Sequence, residues 1–171
     1  MKNDIRKQMM AQRKALSKDE KLMRDTRIIE QIKKDIDFQQ AKTVALFYPM
    51  PSEIDLRPLL KEKKQFLFPK VIGNDMTFYV YHQNMQWEKS KFGVLEPKDE
   101  KPYEGPIDYM LAPALAIDTQ YARIGYGKGY YDRFLKKHRP KRVIGVVYDF
   151  QVIKHIETSK HDQTLDGYLK G

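Results

Sequence analysis

The sequence predicts an α/β fold built on a mostly parallel sheet covered by helices on both faces. Two patterns carry that expectation. Short runs rich in β-branched and aromatic residues, such as residues 43–48 (TVALFY), are too apolar to have a wet face and read as strands buried between layers. Runs of this kind alternate with segments of helical periodicity, and strands separated by helices pair in parallel through crossover connections.

The elements follow in chain order. Residues 2–36 read as helix, with Ile5, Met9 and Leu16 at near-helical spacing. Ser17-Lys18-Asp19-Glu20 then spells a capping box, in which Ser17 accepts from a backbone N–H near Glu20 while Glu20 reaches back, so a second helix starts at Ser17. Leu22, Ile29, Ile32 and Ile36 are expected to continue its apolar stripe. The strand at 43–48 ends at Pro49. The segment 51–55 is a turn, and 56–64 regains helical periodicity, with Pro58 tolerable in the first turn. Further strands are expected at 66–71, 77–81, 108–113 and 142–148, with a helix over 130–139 between the last two. The region 77–96 reads as an antiparallel or irregular excursion.

A chain of 171 residues suits one domain, 1–171, with a core large enough to bury most of its apolar surface. The absence of cysteine excludes a disulfide framework, a thiolate zinc site and a cysteine nucleophile, and suits a reducing cytosol. The N-terminus mixes charges where a signal peptide has its apolar stretch. The longest apolar run, 110–117, falls well short of the roughly 18 residues of a membrane span, so a cytoplasmic protein with no membrane partner is expected. An excess of 32 basic over 23 acidic side chains, net +9, favours an anionic partner such as a nucleotide, a phosphate, a polycarboxylate or nucleic acid. Runs such as Lys61-Glu62-Lys63-Lys64 and Lys136-Lys137-His138-Arg139 read as solvated helix faces.

Gly125-Tyr126-Gly127-Lys128-Gly129 follows a strand and directly precedes the helix beginning Tyr130-Tyr131-Asp132-Arg133. Without Cβ atoms the backbone can approach an anion closely, and the helix end behind it offers free N–H groups and partial positive charge. Arg123 and Lys128 add full charges at that spot, and Asp132 is placed to hold Mg2+ against bound phosphates. From the loop alone a structural turn is equally open, with Asp132 favouring its own helix dipole. The pattern lacks both the Ser/Thr after Gly-Lys of a P-loop and the G-x-G-x-x-G spacing of a dinucleotide loop.

The run Arg123-Ile124-Gly125-Tyr126-Gly127-Lys128-Gly129-Tyr130-Tyr131-Asp132-Arg133 closely resembles the signature of the 5-formyltetrahydrofolate cyclo-ligase family. The likeness extends through the basic N-terminal helix, the segment 48–53, Phe92-Gly93-Val94-Leu95-Glu96-Pro97 and His161-Asp162. The resemblance implies a three-layer α/β/α fold like that of the sugar-phosphate isomerase and CoA-transferase group. It implies ATP and Mg2+ as co-substrate and cofactor, with Lys2, Arg6 and the loop residues Arg123, Ile124, Gly125, Tyr126, Gly127, Lys128, Gly129, Tyr130 and Tyr131 on the nucleotide. Arg123 and Lys128 would act on the transferring phosphoryl group, Asp132 and Asp162 on the metal, and Tyr48, Glu53 and Phe92 on the folate. Asp166 and Asp149 compete with Asp162 as second metal ligand.

Read without the resemblance, Lys2 and Arg6 suit a solvated helix face, Tyr48 and Phe92 suit a core, and Glu53 suits a turn. The expected partners are small molecules, folate and ATP, bound by a monomer with no nucleic acid. A nucleic-acid-binding module and an isomerase or transferase of phosphorylated or CoA-linked substrates are the competing classes. The absence of any known RNA- or DNA-binding motif argues against the first, and dependence on ATP separates the second.

Overall fold

The structure is a computed structural model that describes residues 1–98 and 101–171. In chain order its regular elements are α1 (Lys2–Lys14), α2 (Lys18–Lys34), α3 (Ile36–Gln40), β1 (Thr43–Ala45), β2 (Gln65–Ile72), β3 (Asp75–Val80), β4 (Trp87–Lys89), β5 (Leu95–Pro97), β6 (Pro102–Tyr103), β7 (Tyr109–Pro113), β8 (Ala116–Asp118), β9 (Arg123–Ile124), α4 (Tyr130–Lys137), β10 (Val143–Val147), β11 (Val152–Ile153) and β12 (Gly167–Lys170). Among the described residues no helix is long and apolar enough to cross a membrane.

The break between the first two helices falls where the capping box puts it. Ser17 Oγ accepts from the Glu20 N–H at 3.1 Å, while the Glu20 carboxylate pairs with Arg24 one turn on. The apolar stripe of α2 is displaced from its expected course. Ile28, Ile29 and Ile32 are buried, whereas Leu22 and Ile36 are 67% and 61% exposed. Asp25 takes a buried place on that face, accepting from Tyr148 Oη at 2.6 Å and from Lys21 Nζ at 2.7 Å. The helix stops at Lys34, and Asp35 caps α3 by accepting from the Asp37 N–H.

The main sheet runs β12-β10-β7-β1-β2-β3-β6, parallel from β12 to β2 and antiparallel across β3 and β6. Alternation along the strands sorts the core into two layers. Val44, Phe66, Tyr109 and Ile144 face α2 and α3 through Ile28, Ile32 and Phe38. Ala45, Leu67, Met110 and Val143 face Phe134 and Leu135 of α4. This is the α/β/α layering expected, with β1 at the centre, paired to β2 and β7 and fully buried.

Two local expectations are corrected. The helix expected over 56–64 is only a 3₁₀ turn, Arg57–Lys61, because the backbone is already extended at Glu62 and β2 begins at Gln65. The strand expected over 43–48 leaves the sheet after Ala45, with Leu46 N–H donating to Leu67 O at 2.8 Å before Pro49. The polar C-terminus is an edge strand, β12, parallel to β10, and Gly171 O accepts from Arg24 and from the Asp149 N–H.

A second sheet, β11-β8-β9, carries α1 on its surface, where Met9 packs with Leu115, Ala116, Ala122, Ile124 and Ile156. A β4-β5 hairpin supplies the excursion foreseen within 77–96, beside the antiparallel β2-β3 pair.

Candidate active site

The site forms beyond the carboxyl ends of β1 and β7, where open α/β sheets characteristically leave a crevice. A cavity of about 530 Å3 lies there, lined from α1, the segment after β1, the β4-β5 hairpin, the glycine loop and the segment before β12.

Arg123 reaches the cavity through a short hairpin. Asp118 is 1% exposed, and its carboxylate accepts from the Gln120, Ala122 and Ile156 N–H groups, fixing the turn between β8 and β9. The Arg123 Nε–H then donates to Pro113 O at 2.7 Å, and its guanidinium lies 5.0 Å from the Tyr131 ring centroid. Burial pulls the pKa of this guanidinium below its ordinary value, yet an arginine starts so high that it stays charged at neutral pH.

Close contact at one position and backbone conformation at two others account for the glycines of the loop. A Cβ on Gly125 would stand 2.7 Å from Arg123 Nη2. Gly127 and Gly129 adopt φ of +96° and +72°, and Gly129 caps α4 in the left-handed region. Arg6 braces the loop from α1, its Nε–H donating to Gly125 O at 2.7 Å. Lys128 extends toward Phe92, with Nζ 5.9 Å from the ring centroid.

Two carboxylates face the same cavity from the loop side. Asp132 Oδ1 accepts from the Gln163 N–H at 3.0 Å, which draws the segment containing Asp162 against α4. Asp162 Oδ2 accepts from Lys2 Nζ at 3.0 Å and from the Ser159 N–H at 2.9 Å. Burial alone would raise the Asp162 pKa, but these donors outweigh it and hold the carboxyl below its ordinary value. Among the described residues no cluster of three or more acidic or histidine side chains is arranged to hold a metal. Two carboxylates beside a glycine loop are nonetheless a donor set that Mg2+ can use when waters and ligand oxygens complete its shell. The alternatives lie elsewhere: Asp166 accepts from the Val143 N–H and pairs with Arg139, and Asp149 pairs with Arg24.

The opposite wall is more apolar. Pro69, Val71, Met76 and Val94 line it with Phe92, which is 43% exposed at the mouth. Tyr48 is held by Arg57, whose Nη1 donates to Tyr48 Oη at 2.9 Å, and its ring sits 5.2 Å from that of Trp87. Glu53 is 6% exposed, with Oε1 accepting from the Met50 N–H at 2.8 Å and Oε2 from Tyr126 Oη at 3.0 Å. Burial pushes its pKa above the ordinary carboxylate value against these donors and the Arg13 charge.

Every site residue expected from the sequence therefore lines one cavity. Two polar residues of the region had no role assigned. Glu96, in the Phe-Gly-x-x-Glu-Pro turn, accepts from the Val71 N–H at 2.9 Å and ties the β4-β5 hairpin to β2. Arg13, 4% exposed, donates from Nη2 to Tyr126 Oη at 2.9 Å. Its signal was present in the spacing, since positions 2, 6 and 13 share one face of a helix.

Comparison with known proteins agrees along the whole chain. A family model described as the 5-formyltetrahydrofolate cyclo-ligase family matches residues 1–170. The NMR structure of Aquifex aeolicus 5,10-methenyltetrahydrofolate synthetase superposes with a TM-score of 0.87 at 33% identity, covering 99% of this chain and 89% of that one. A 5,10-methenyltetrahydrofolate synthetase from Mycoplasma pneumoniae gives 0.77 at 28% identity, covering 98% and 96%. The 5-formyltetrahydrofolate cyclo-ligase of Mycoplasma genitalium is 32% identical over 152 residues, 88% of this chain and 86% of that protein.

Proposed function

Since this chain belongs to the 5-formyltetrahydrofolate cyclo-ligase family, we propose that it converts 5-formyltetrahydrofolate to 5,10-methenyltetrahydrofolate at the expense of ATP, releasing ADP and phosphate. One observation carries the reading: the glycine loop with its cations and the apolar wall with Tyr48, Glu53 and Phe92 line a single cavity of about 530 Å3. A nucleotide tail and a flat heterocycle can meet there. Elements from both ends of the chain contribute, in keeping with one domain over residues 1–171 acting as a monomer.

The chemistry explains why phosphate machinery faces a folate pocket. A formamide is a poor electrophile, so its oxygen attacks the γ-phosphorus and the bond to the ADP oxygen breaks. N10 then adds to the activated carbon and loses its proton, and the carbon–oxygen bond breaks to release phosphate. No protein nucleophile is needed; positioning and charge stabilisation suffice.

In this reading Lys128 and Arg123 neutralise charge on the transferring group, and the amides of Gly125, Gly127 and Gly129 hold it in line. Lys2 and Arg6 contact the triphosphate, with Ile124, Tyr126, Tyr130 and Tyr131 completing the nucleotide wall. Asp132 and Asp162 would hold Mg2+, which when bound supplies further neutralisation of phosphate charge. Tyr48 and Glu53 receive the polar edge of the pterin, since each Glu53 oxygen keeps a lone pair beyond the one already used. Phe92 packs on a ring of the folate.

The test mixes purified protein, 5-formyltetrahydrofolate, ATP and Mg2+ and follows the near-ultraviolet absorbance of the methenyl product. Product formation with matching ADP release, and none without ATP, is expected. Absence of product under those conditions, or ATP-independent turnover of a sugar phosphate or CoA ester, overturns the assignment.

A further inference from the structure

Glu53 and the glycine loop are joined by a single chain of hydrogen bonds. Arg13 Nη2 lies 2.9 Å from Tyr126 Oη, and Tyr126 Oη lies 3.0 Å from Glu53 Oε2. The direction of the chain is fixed by chemistry: a guanidinium only donates, so Tyr126 Oη accepts from Arg13 and its one proton goes to Glu53. Arg13 is 4% exposed and also donates to Ser52 Oγ at 3.0 Å, the residue before Glu53. Its guanidinium stands 5.9 Å from the Tyr126 ring centroid.

Tyr126 belongs to the loop itself, between Gly125 and Gly127, and 36% of it is exposed. A phosphate cradle has no use for a hydroxyl turned away from the anion toward a carboxylate on another segment. A triphosphate seated against 125–129 fixes the loop and with it that hydroxyl, which among the described residues is the only side-chain hydrogen-bond donor to Glu53. The reverse also holds, because coupling between two ligands is reciprocal.

We propose that Arg13, Tyr126 and Glu53 form a relay through which nucleotide in the glycine loop and folate at Glu53 strengthen each other's binding, with Arg13 as a positioning residue. The inference rests on the assignment of the two ligands made above. Arg13 keeps Tyr126 from turning into the cavity, and Tyr126 keeps one Glu53 oxygen oriented so that the remaining lone pairs face the substrate.

The experiment measures the affinity for 5-formyltetrahydrofolate by calorimetry, without and with a saturating non-hydrolysable ATP analogue and Mg2+. The wild-type protein is expected to bind folate at least about fivefold more tightly with the analogue present. Tyr126→Phe keeps the ring and removes only the hydroxyl, and should bring that ratio to within about twofold of one. Arg13→Met should do the same, and the double variant should add nothing, because the two act in one chain. A ratio unchanged in folded Tyr126→Phe overturns the relay, as does a loss of affinity for both ligands at constant ratio, which is what a merely structural role predicts. Wild-type protein that binds both ligands independently overturns the relay alone. Wild-type protein that binds neither overturns the function as well.

Discussion

Lys2 Nζ lies 3.0 Å from Asp162 Oδ2, so the first turn of α1 is ion-paired with a carboxylate 160 positions further along the chain. Both side chains line the cavity, and both are partly exposed. A pair in that setting contributes at most about 1 kcal/mol to stability, so its consequence is positional: it brings the N-terminal cation and the C-terminal acid to one spot.

That arrangement separates stability from binding. In Lys2→Met the melting temperature should shift by no more than about 4 °C, the equivalent of about 1 kcal/mol in a chain of this size. The KM for ATP should rise about tenfold if the proposed charge-assisted contact of Lys2 to phosphate is removed. A large thermal shift with an unchanged KM would return Lys2 to the role of a structural tether.

Lys128 offers a cleaner separation, because among the described residues its ammonium faces the nearby Phe92 ring. Lys128→Ala should leave thermal unfolding unaltered and lower kcat by about a hundredfold, the usual consequence of losing one preorganised group that stabilises transition-state charge. Steady-state kinetics beside a melting curve decide it, and an unchanged kcat removes Lys128 from the chemistry.

Gly125 tests the loop from beneath. Its φ is not positive, so alanine acts through space rather than through backbone strain: the new Cβ would stand 2.7 Å from Arg123 Nη2 and 3.1 Å from Cζ and displace the guanidinium. Arg123 cannot simply swing aside, since its Nε–H is bonded to Pro113 O. Gly125→Ala is therefore expected to act through Arg123. Adding it to Arg123→Ala should cause little further loss of kcat/KM, and an additive loss in that cycle would show that the glycine serves the phosphate directly.

What the sequence made legible was local. Ser17 announces its helix because a capping hydroxyl works within one turn, and the 125–129 loop announces α4 because glycine and helix start are contiguous. What it hid was settled by partners far along the chain. Asp25 occupies the apolar face of α2 with the help of Tyr148, which arrives 123 positions later and donates to it. The stretch 167–170 is too short to read as a strand until β10 offers it an edge. The candidate site divides the same way. The loop and Asp132 were readable from residue type and spacing, whereas Tyr48, Glu53 and Asp162 stood out only through family resemblance, and Arg13 acquires meaning only once Tyr126 is seen beside it.

Glu53 links the site to the pH dependence of folding. Burial raises its folded-state pKa above the ordinary 4.5, with the Met50 N–H, the Arg13 charge and Tyr126 opposing. Between 4.5 and that higher value the folded protein holds this proton more tightly than the unfolded chain, so the Glu53 contribution to stability declines as pH rises through the window and stays at its minimum above it. Glu53→Gln removes the titration. It also places an amide N–H against Tyr126 Oη, which already accepts from Arg13, but that mismatch shifts stability by a constant at every pH and leaves the slope untouched. Urea unfolding of both proteins from about pH 4.5 to pH 7.5 should therefore show wild-type stability falling relative to the variant as pH rises. A relative rise across that range would mean that the donors dominate over burial. In kinetics the same variant should raise the KM for folate more than that for ATP if, as proposed, the carboxylate lost faces the pterin and not the phosphate loop.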